Sequence, residues 1–145
     1  MNDSYQNARV YAFGTFDGLH LGHWWYLRQA RKLGSHLTVI VSCDINVTKI
    51  KGKPPMYSEA ERVERLRRSV WADEVQLGGT GKPLDLLKTE EIDVICLGYD
   101  QRPSTRVLHT ELKRIGKLAV RVHRASAFFP GVFKSSRLKL FGIFR

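Results

Sequence analysis

Along the chain, short runs of apolar residues alternate with longer stretches whose apolar positions recur three and four residues apart. Residues 10–13, 37–42, 74–77, 94–97 and 119–122 read as strands. The second and fourth are almost unbroken in apolar character, the pattern of strands covered on both faces. Residues 22–33, 59–70, 84–90 and 104–115 carry helical spacing. Ser58 followed by Glu61 makes a capping-box pattern, and Val63, Leu66 and Val70 recur on one face of the helix it opens. This alternation predicts βαβ units and an α/β fold, a Rossmann-like three-layer domain with a five-stranded, mainly parallel sheet. Residues 49–55 (KIKGKPP) and Gly78-Gly79-Thr80-Gly81 read as loops rather than linkers, because the pattern resumes on both sides. With no internal repeat and no low-complexity tract, residues 1–145 are expected to form a single domain.

The turn between the first strand and the first helix carries the chemistry. It reads Gly14-Thr15-Phe16-Asp17-Gly18-Leu19-His20-Leu21-Gly22-His23. In a parallel sheet, ligands bind at the carboxyl ends of strands, where loops face helix amino termini. A helix start offers unpaired N–H groups and the positive end of a dipole, and both suit phosphate. Glycines at 14, 18 and 22 let the backbone come close to such a group. His20 and His23 are three residues apart and fall on one side of the first turn. Two imidazole N–H groups aimed at one phosphate can stabilise the charge that builds on its oxygens during displacement. A zinc site is not expected, since no third ligand stands at a suitable spacing.

The pairing of GTFD with H-x-G-H resembles the signature of the cytidylyltransferase-like nucleotidyltransferases. Within that superfamily the chain is most similar to the archaeal-type FAD synthases and, more distantly, to glycerol-3-phosphate cytidylyltransferases. The similarity continues through Asp44, VTKIKGKP (residues 47–54), Arg62, Ala72-Asp73-Glu74-Val75, LGYDQ (residues 97–101) and Phe133-Lys134-Ser135-Ser136-Arg137. The resemblance implies direct in-line attack of an acceptor phosphate on the α-phosphorus of a nucleoside triphosphate, with pyrophosphate leaving and no covalent enzyme intermediate. It implies ATP or CTP as donor and FMN or another phosphorylated small molecule as acceptor. Mg²⁺ or another divalent cation would be carried by the triphosphate, with no protein ligand assigned, and a homodimer is expected.

Roles carry over by match to the motifs. His20 and His23 would contact the α-phosphate and the triphosphate bridge, and Gly14, Thr15, Phe16 and Gly22 would shape the nucleotide site. Asp17 would orient the loop or the acceptor side, or serve as a turn residue bonded to backbone N–H groups. Lys51 is the candidate phosphate clamp, catalytic and acceptor-binding, with Lys49 and Lys53 competing for the role. Arg62 matches an arginine that supports the site and is placed with the acceptor. Gly98 and Asp100 close the fourth strand, where base and ribose should lie; a carboxylate or a carbonyl there can accept from an exocyclic amino group. Ser135, Ser136 and Arg137 match the closing motif, whose hydroxyls and cation grip the triphosphate, and Arg137 joins the catalytic set. Two positions depart from the pattern: Lys134 stands where a Ser or Thr usually begins the closing motif, and Phe129-Pro130-Gly131 lies where archaeal relatives tend to carry cysteines. Trp24, Trp25 and Tyr26 follow the motif, but a helix fans consecutive side chains apart, so at most one or two can line a site. An apolar tail of Leu138, Leu140, Phe141, Ile143 and Phe144 is expected to dock on the domain or on a second subunit.

Composition adds limits. No apolar run approaches the length that spans a bilayer, and residues 1–9 lack the apolar core of a secretory signal. Cys43 and Cys96 are too few for a disulfide framework and are expected as reduced core thiols in a cytoplasmic protein. A net charge of +10 suits a polyphosphate substrate, an acidic membrane or nucleic acid. A basic nucleic-acid-binding module is the alternative outside enzymes. It is not preferred, because no aromatic-studded strand or groove-reading helix is apparent.

Overall fold

The computed structural model describes residues 7–127. β1 (Arg9–Gly14) leads into α1 (Leu21–Arg31), β2 (His36–Val41), α2 (Asp44–Lys51) and α3 (Glu59–Ser69). There follow β3 (Glu74–Leu77), a 3-10 helix over Pro83–Lys88, β4 (Val94–Leu97), α4 (Thr105–Arg114) and β5 (Arg121–Arg124). The five strands lie in the order β3-β2-β1-β4-β5. Every pairing is parallel, from Val10 against Leu37 to Val94 against Arg121. The fold is the expected Rossmann-like α/β sheet.

Period-two alternation divides each strand between two cores. Val10 and Ala12 of β1 join Leu27 and Ala30 of α1 and Val63 and Leu66 of α3 on one face. Tyr11 of β1 and Ile95 and Leu97 of β4 join Leu87, Leu108 and Leu112 on the other. Chain direction across the sheet reverses between β1 and β4. That reversal opens a crevice at their carboxyl ends, the place where folds of this kind bind ligands.

Three elements differ from the sequence reading. Residues 44–51 form a helix, where only a loop was expected from residue 49. Its apolar content is slight and no side chain caps its start at Cys43, but Thr48 Oγ1 donates to the Asp44 carbonyl within it. Gly52, at φ 75°, then ends it in a left-handed cap. The fifth strand begins two residues later than its apolar pattern, because Val120 N–H closes a turn onto the Lys117 carbonyl before pairing with β4 starts. The helix expected over residues 84–90 is a 3-10 helix with a proline in its first turn. The serine half of the predicted capping box holds: Ser58 Oγ accepts from Glu61 N–H at 3.2 Å.

Candidate active site

The loop leaving β1 is held from three sides. Phe16 adopts φ 53° and is 3% exposed, a left-handed conformation that a bulky residue keeps only when its surroundings impose it. Its ring folds back over Gly14, where an added Cβ would lie 2.7 Å from the ring. The space left by the missing side chain of Gly14 thus goes to Phe16, not to a phosphate. Asp17 accepts from Met56 N–H at 2.7 Å and Tyr57 N–H at 2.9 Å, so its carboxylate pins the loop to the segment before α3. Of the two roles open to it, orienting the loop is the one its bonds describe.

Arg62 corrects an expectation. Placed in sequence with the acceptor, it is fully buried. Its guanidinium donates to the carbonyls of Thr15 (2.8 Å), Ser42 (2.7 Å) and Tyr57 (3.0 Å) and pairs with Asp44 at 2.7 Å. A side chain bonded on all sides beneath the loop positions the loop and does not reach a substrate.

His20 is the N-cap of α1. Its Nδ1 accepts from the N–H groups of Gly22 (3.0 Å) and His23 (3.4 Å). The Gly22 amide, expected to face a phosphate, is therefore engaged by His20. An Nδ1 that accepts carries no proton, so the neutral ring holds its proton on Nε2. The two imidazoles stack with centroids 3.8 Å apart. Burial lowers the pKa of both. For His23 it does so to about 3, with further lowering from His20 and Lys51. Both rings are thus neutral donors at physiological pH. His23 Nδ1 is buried without a hydrogen-bond partner among the described residues, an exception of the kind found at catalytic sites, and the ring also meets the Gly18 backbone.

Two cavities open at the strand ends, one on each side of the motif loop. The larger, about 780 Å³, lies on the α1 side. It brings together Asp17 and His23, Lys51 and Lys53 from the end of α2, and Gly98 and Asp100 beyond β4. The second, about 390 Å³, lies on the α4 side. Phe13, Ile40, Ile95 and Leu97 form its floor, with Leu84 and Leu108 on its flank. Phe13, Gly14, Thr15 and Gln101 line both. The cavities therefore meet at the Gly14–Thr15 turn.

That meeting point is braced by Tyr26 and Gln101, to which the sequence reading gave no bracing role, and by Arg124, which it did not single out. Tyr26 Oη donates to the Cys96 carbonyl at 2.6 Å, and Gln101 Nε2 donates to the Phe13 carbonyl at 2.9 Å. Gln101 Oε1 accepts from Gly98 N–H at 3.0 Å. From the end of β5, Arg124 donates to the carbonyls of Gly98 (2.8 Å) and Pro103 (3.2 Å) and also to that of Gln101. In the sequence Arg124 is one cation among many; only its tertiary partners set it apart. Of the three aromatics after the motif, Tyr26 alone lines the larger cavity, and the Trp24 ring instead holds the Arg28 guanidinium. Ser135, Ser136 and Arg137, and the apolar tail after them, lie outside the described residues.

A parallel sheet, a crevice at its switch point and paired neutral imidazoles at a helix mouth define a nucleotide-handling α/β enzyme. The sequence model of the family described as cytidylyltransferase-like matches residues 11–138, and the chain belongs to that family of nucleotidyltransferases. The FAD synthase of Pyrococcus abyssi is 41% identical over 135 residues, 92% of this chain and 88% of that one. The FAD synthase of Methanosarcina barkeri is 44% identical over 110 residues, 75% of this chain and 77% of that one. Among solved structures, the lipopolysaccharide core biosynthesis protein of Thermoplasma volcanium superposes with a TM-score of 0.77 at 34% identity, covering 83% of this chain and 98% of that one. Thermotoga maritima TmcAL, solved with alpha-thio ATP, shares the fold at a TM-score of 0.59 and 16% identity, covering 93% of this chain and 51% of that one.

Proposed function

We propose that the chain is an FMN adenylyltransferase, joining ATP and FMN to give FAD and pyrophosphate. The observation that carries this reading is the pair of cavities: one beside His23 that holds Lys51 and Lys53 with Asp17 and Asp100, and one across the Gly14–Thr15 turn with an apolar floor and Lys82, Arg102, Glu111 and Arg114 on its walls. ATP occupies the first, with Asp100 and Gly98 toward the nucleoside and Lys51 toward the phosphates. The flavin ring of the acceptor occupies the second, whose volume lies in the range of small-molecule sites. The identities to FAD synthases support the same choice. A phosphate oxygen of FMN attacks the α-phosphorus where the cavities join; a P–O bond forms, the α–β bridge breaks and pyrophosphate departs. His20 and His23, as neutral donors, and Lys51 meet the charge growing on the phosphate oxygens. Ser135, Ser136 and Arg137 grip the triphosphate by match to the closing motif.

A divalent cation, Mg²⁺ or another, would neutralise triphosphate charge when bound. Among the described residues no three His, Cys, Asp or Glu side chains group as a metal cage, and Asp17 already spends both oxygens on backbone N–H groups. In this reading the ion comes with the triphosphate. Two buried free thiols, Cys43 and Cys96, support a reducing, cytoplasmic setting, and among the described residues no helix is long and apolar enough to cross a membrane.

A cytidylyltransferase acting on glycerol 3-phosphate would use the same loop and leave the apolar cavity without a purpose. Pyrophosphate release separates the two. Turnover is expected with ATP plus FMN. Turnover only with CTP plus glycerol 3-phosphate would overturn the proposal.

A further inference from the structure

On its α2 wall the apolar cavity has a polar side chain whose orientation is set by its neighbours. Asn46, on α2, lines the cavity and is half-buried. Its Nδ2 donates to the carbonyls of Gly79 (3.1 Å) and Gly81 (3.2 Å), in the loop after β3. Two carbonyl partners leave no doubt about which way the amide faces: the nitrogen is spent on them, and Oδ1 is left as an acceptor with no donor among the described residues. One helical turn further on, Ile50 stands on the rim of the same cavity, 81% exposed. The α2 wall therefore offers an apolar surface to cover and one acceptor to satisfy.

We infer that Asn46 is a specificity-determining residue, whose Oδ1 accepts the N3–H of the flavin's pyrimidinedione edge while Ile50 packs on the ring. This rests on the flavin acceptor proposed above. A flavin presents one ring N–H donor, at N3, between two carbonyls. A planar ring entering the cavity over Phe13 would bring an edge to the α2 wall. A substrate with a blocked N3 would leave Asn46 Oδ1 buried without a donor, and a site of that kind rejects such an analogue strongly.

The test compares FMN with N3-methyl-FMN, using ATP and pyrophosphate release. The wild type is expected to show about 10- to 100-fold lower kcat/KM with the methylated substrate. In Asn46→Ala the two substrates should converge, since the acceptor is gone and space is made for the methyl group. Equal use of both by the wild type, or full discrimination kept in Asn46→Ala, would overturn the inference. A second measurement needs no variant. With FMN labelled with nitrogen-15 at N3, the N3–H signal should slow its exchange with water on binding to the wild type, and exchange as fast as in free FMN would also overturn it. Failure of the wild type to turn over FMN at all would instead sink the FAD synthase reading itself.

Discussion

His20 and His23 show how one ring can shape another's chemistry. By capping α1 through Nδ1, His20 keeps its proton on Nε2, while burial above all, and then the proximity of His20, disfavours a charge on His23. Removal of either ring by His20→Ala or His23→Ala should lower kcat by about 10²–10³ with a much smaller change in KM, read from steady-state kinetics. His23 also predicts a pH effect on stability. As pH falls below 6.5 the unfolded chain takes up a proton that the folded His23 refuses until about 3. The unfolded state binds more protons in that window, so stability falls by about 1.4 kcal/mol per pH unit through this group. Urea unfolding at several pH values between those limits should show a steeper loss for wild type than for His23→Gln. Parallel slopes would show that His23 titrates normally. The sequence made the two histidines legible through their glycine frame. A capping role for one of them is open in the sequence but is not assigned to His20, because a histidine at that position carries no distinctive capping signal.

At the scale of elements, the loops of the site are braced by arginines bonded to backbone carbonyls. Arg62 joins the carbonyl ends of β1 and β2 to the start of α3, and Arg62→Ala should cost about 3–5 kcal/mol, measured by chemical denaturation. Arg62→Lys should not restore it, since one ammonium cannot serve carbonyls on three separate segments. Arg124 clamps the loop after β4, so Arg124→Met should raise KM for ATP by about tenfold through a loosened Gly98–Gln101 turn while leaving kcat closer to wild type. The strands and three of the helices were legible because burial imposes a period on their residues. α2 was not, since it lies over the strand ends, where little of it is buried: Val47 alone among its eight residues. The start of β5 was misread for a related reason. Val120 is buried like a strand residue but belongs to the turn that precedes the strand.

For the whole molecule, the βαβ order announced the sheet and its crevice, yet neither cavity could be read from the chain. Each is assembled from the ends of several strands and the helices around them. The apolar cavity is floored by residues that look in sequence like ordinary core. The charge of +10 has local uses in Lys51 and Lys53 beside His23 and in the buried Arg62 beneath the motif loop. The account depends on chemistry at the Gly14–Thr15 turn, and the most direct test follows the α-phosphate itself. With ATP radiolabelled at that phosphate and unlabelled FMN, wild type should place the label in FAD, and His20→Ala and His23→Ala should still bind ATP while transferring almost none. Label appearing in FAD at undiminished rates in both variants, or absent from FAD with wild type, would contradict the account.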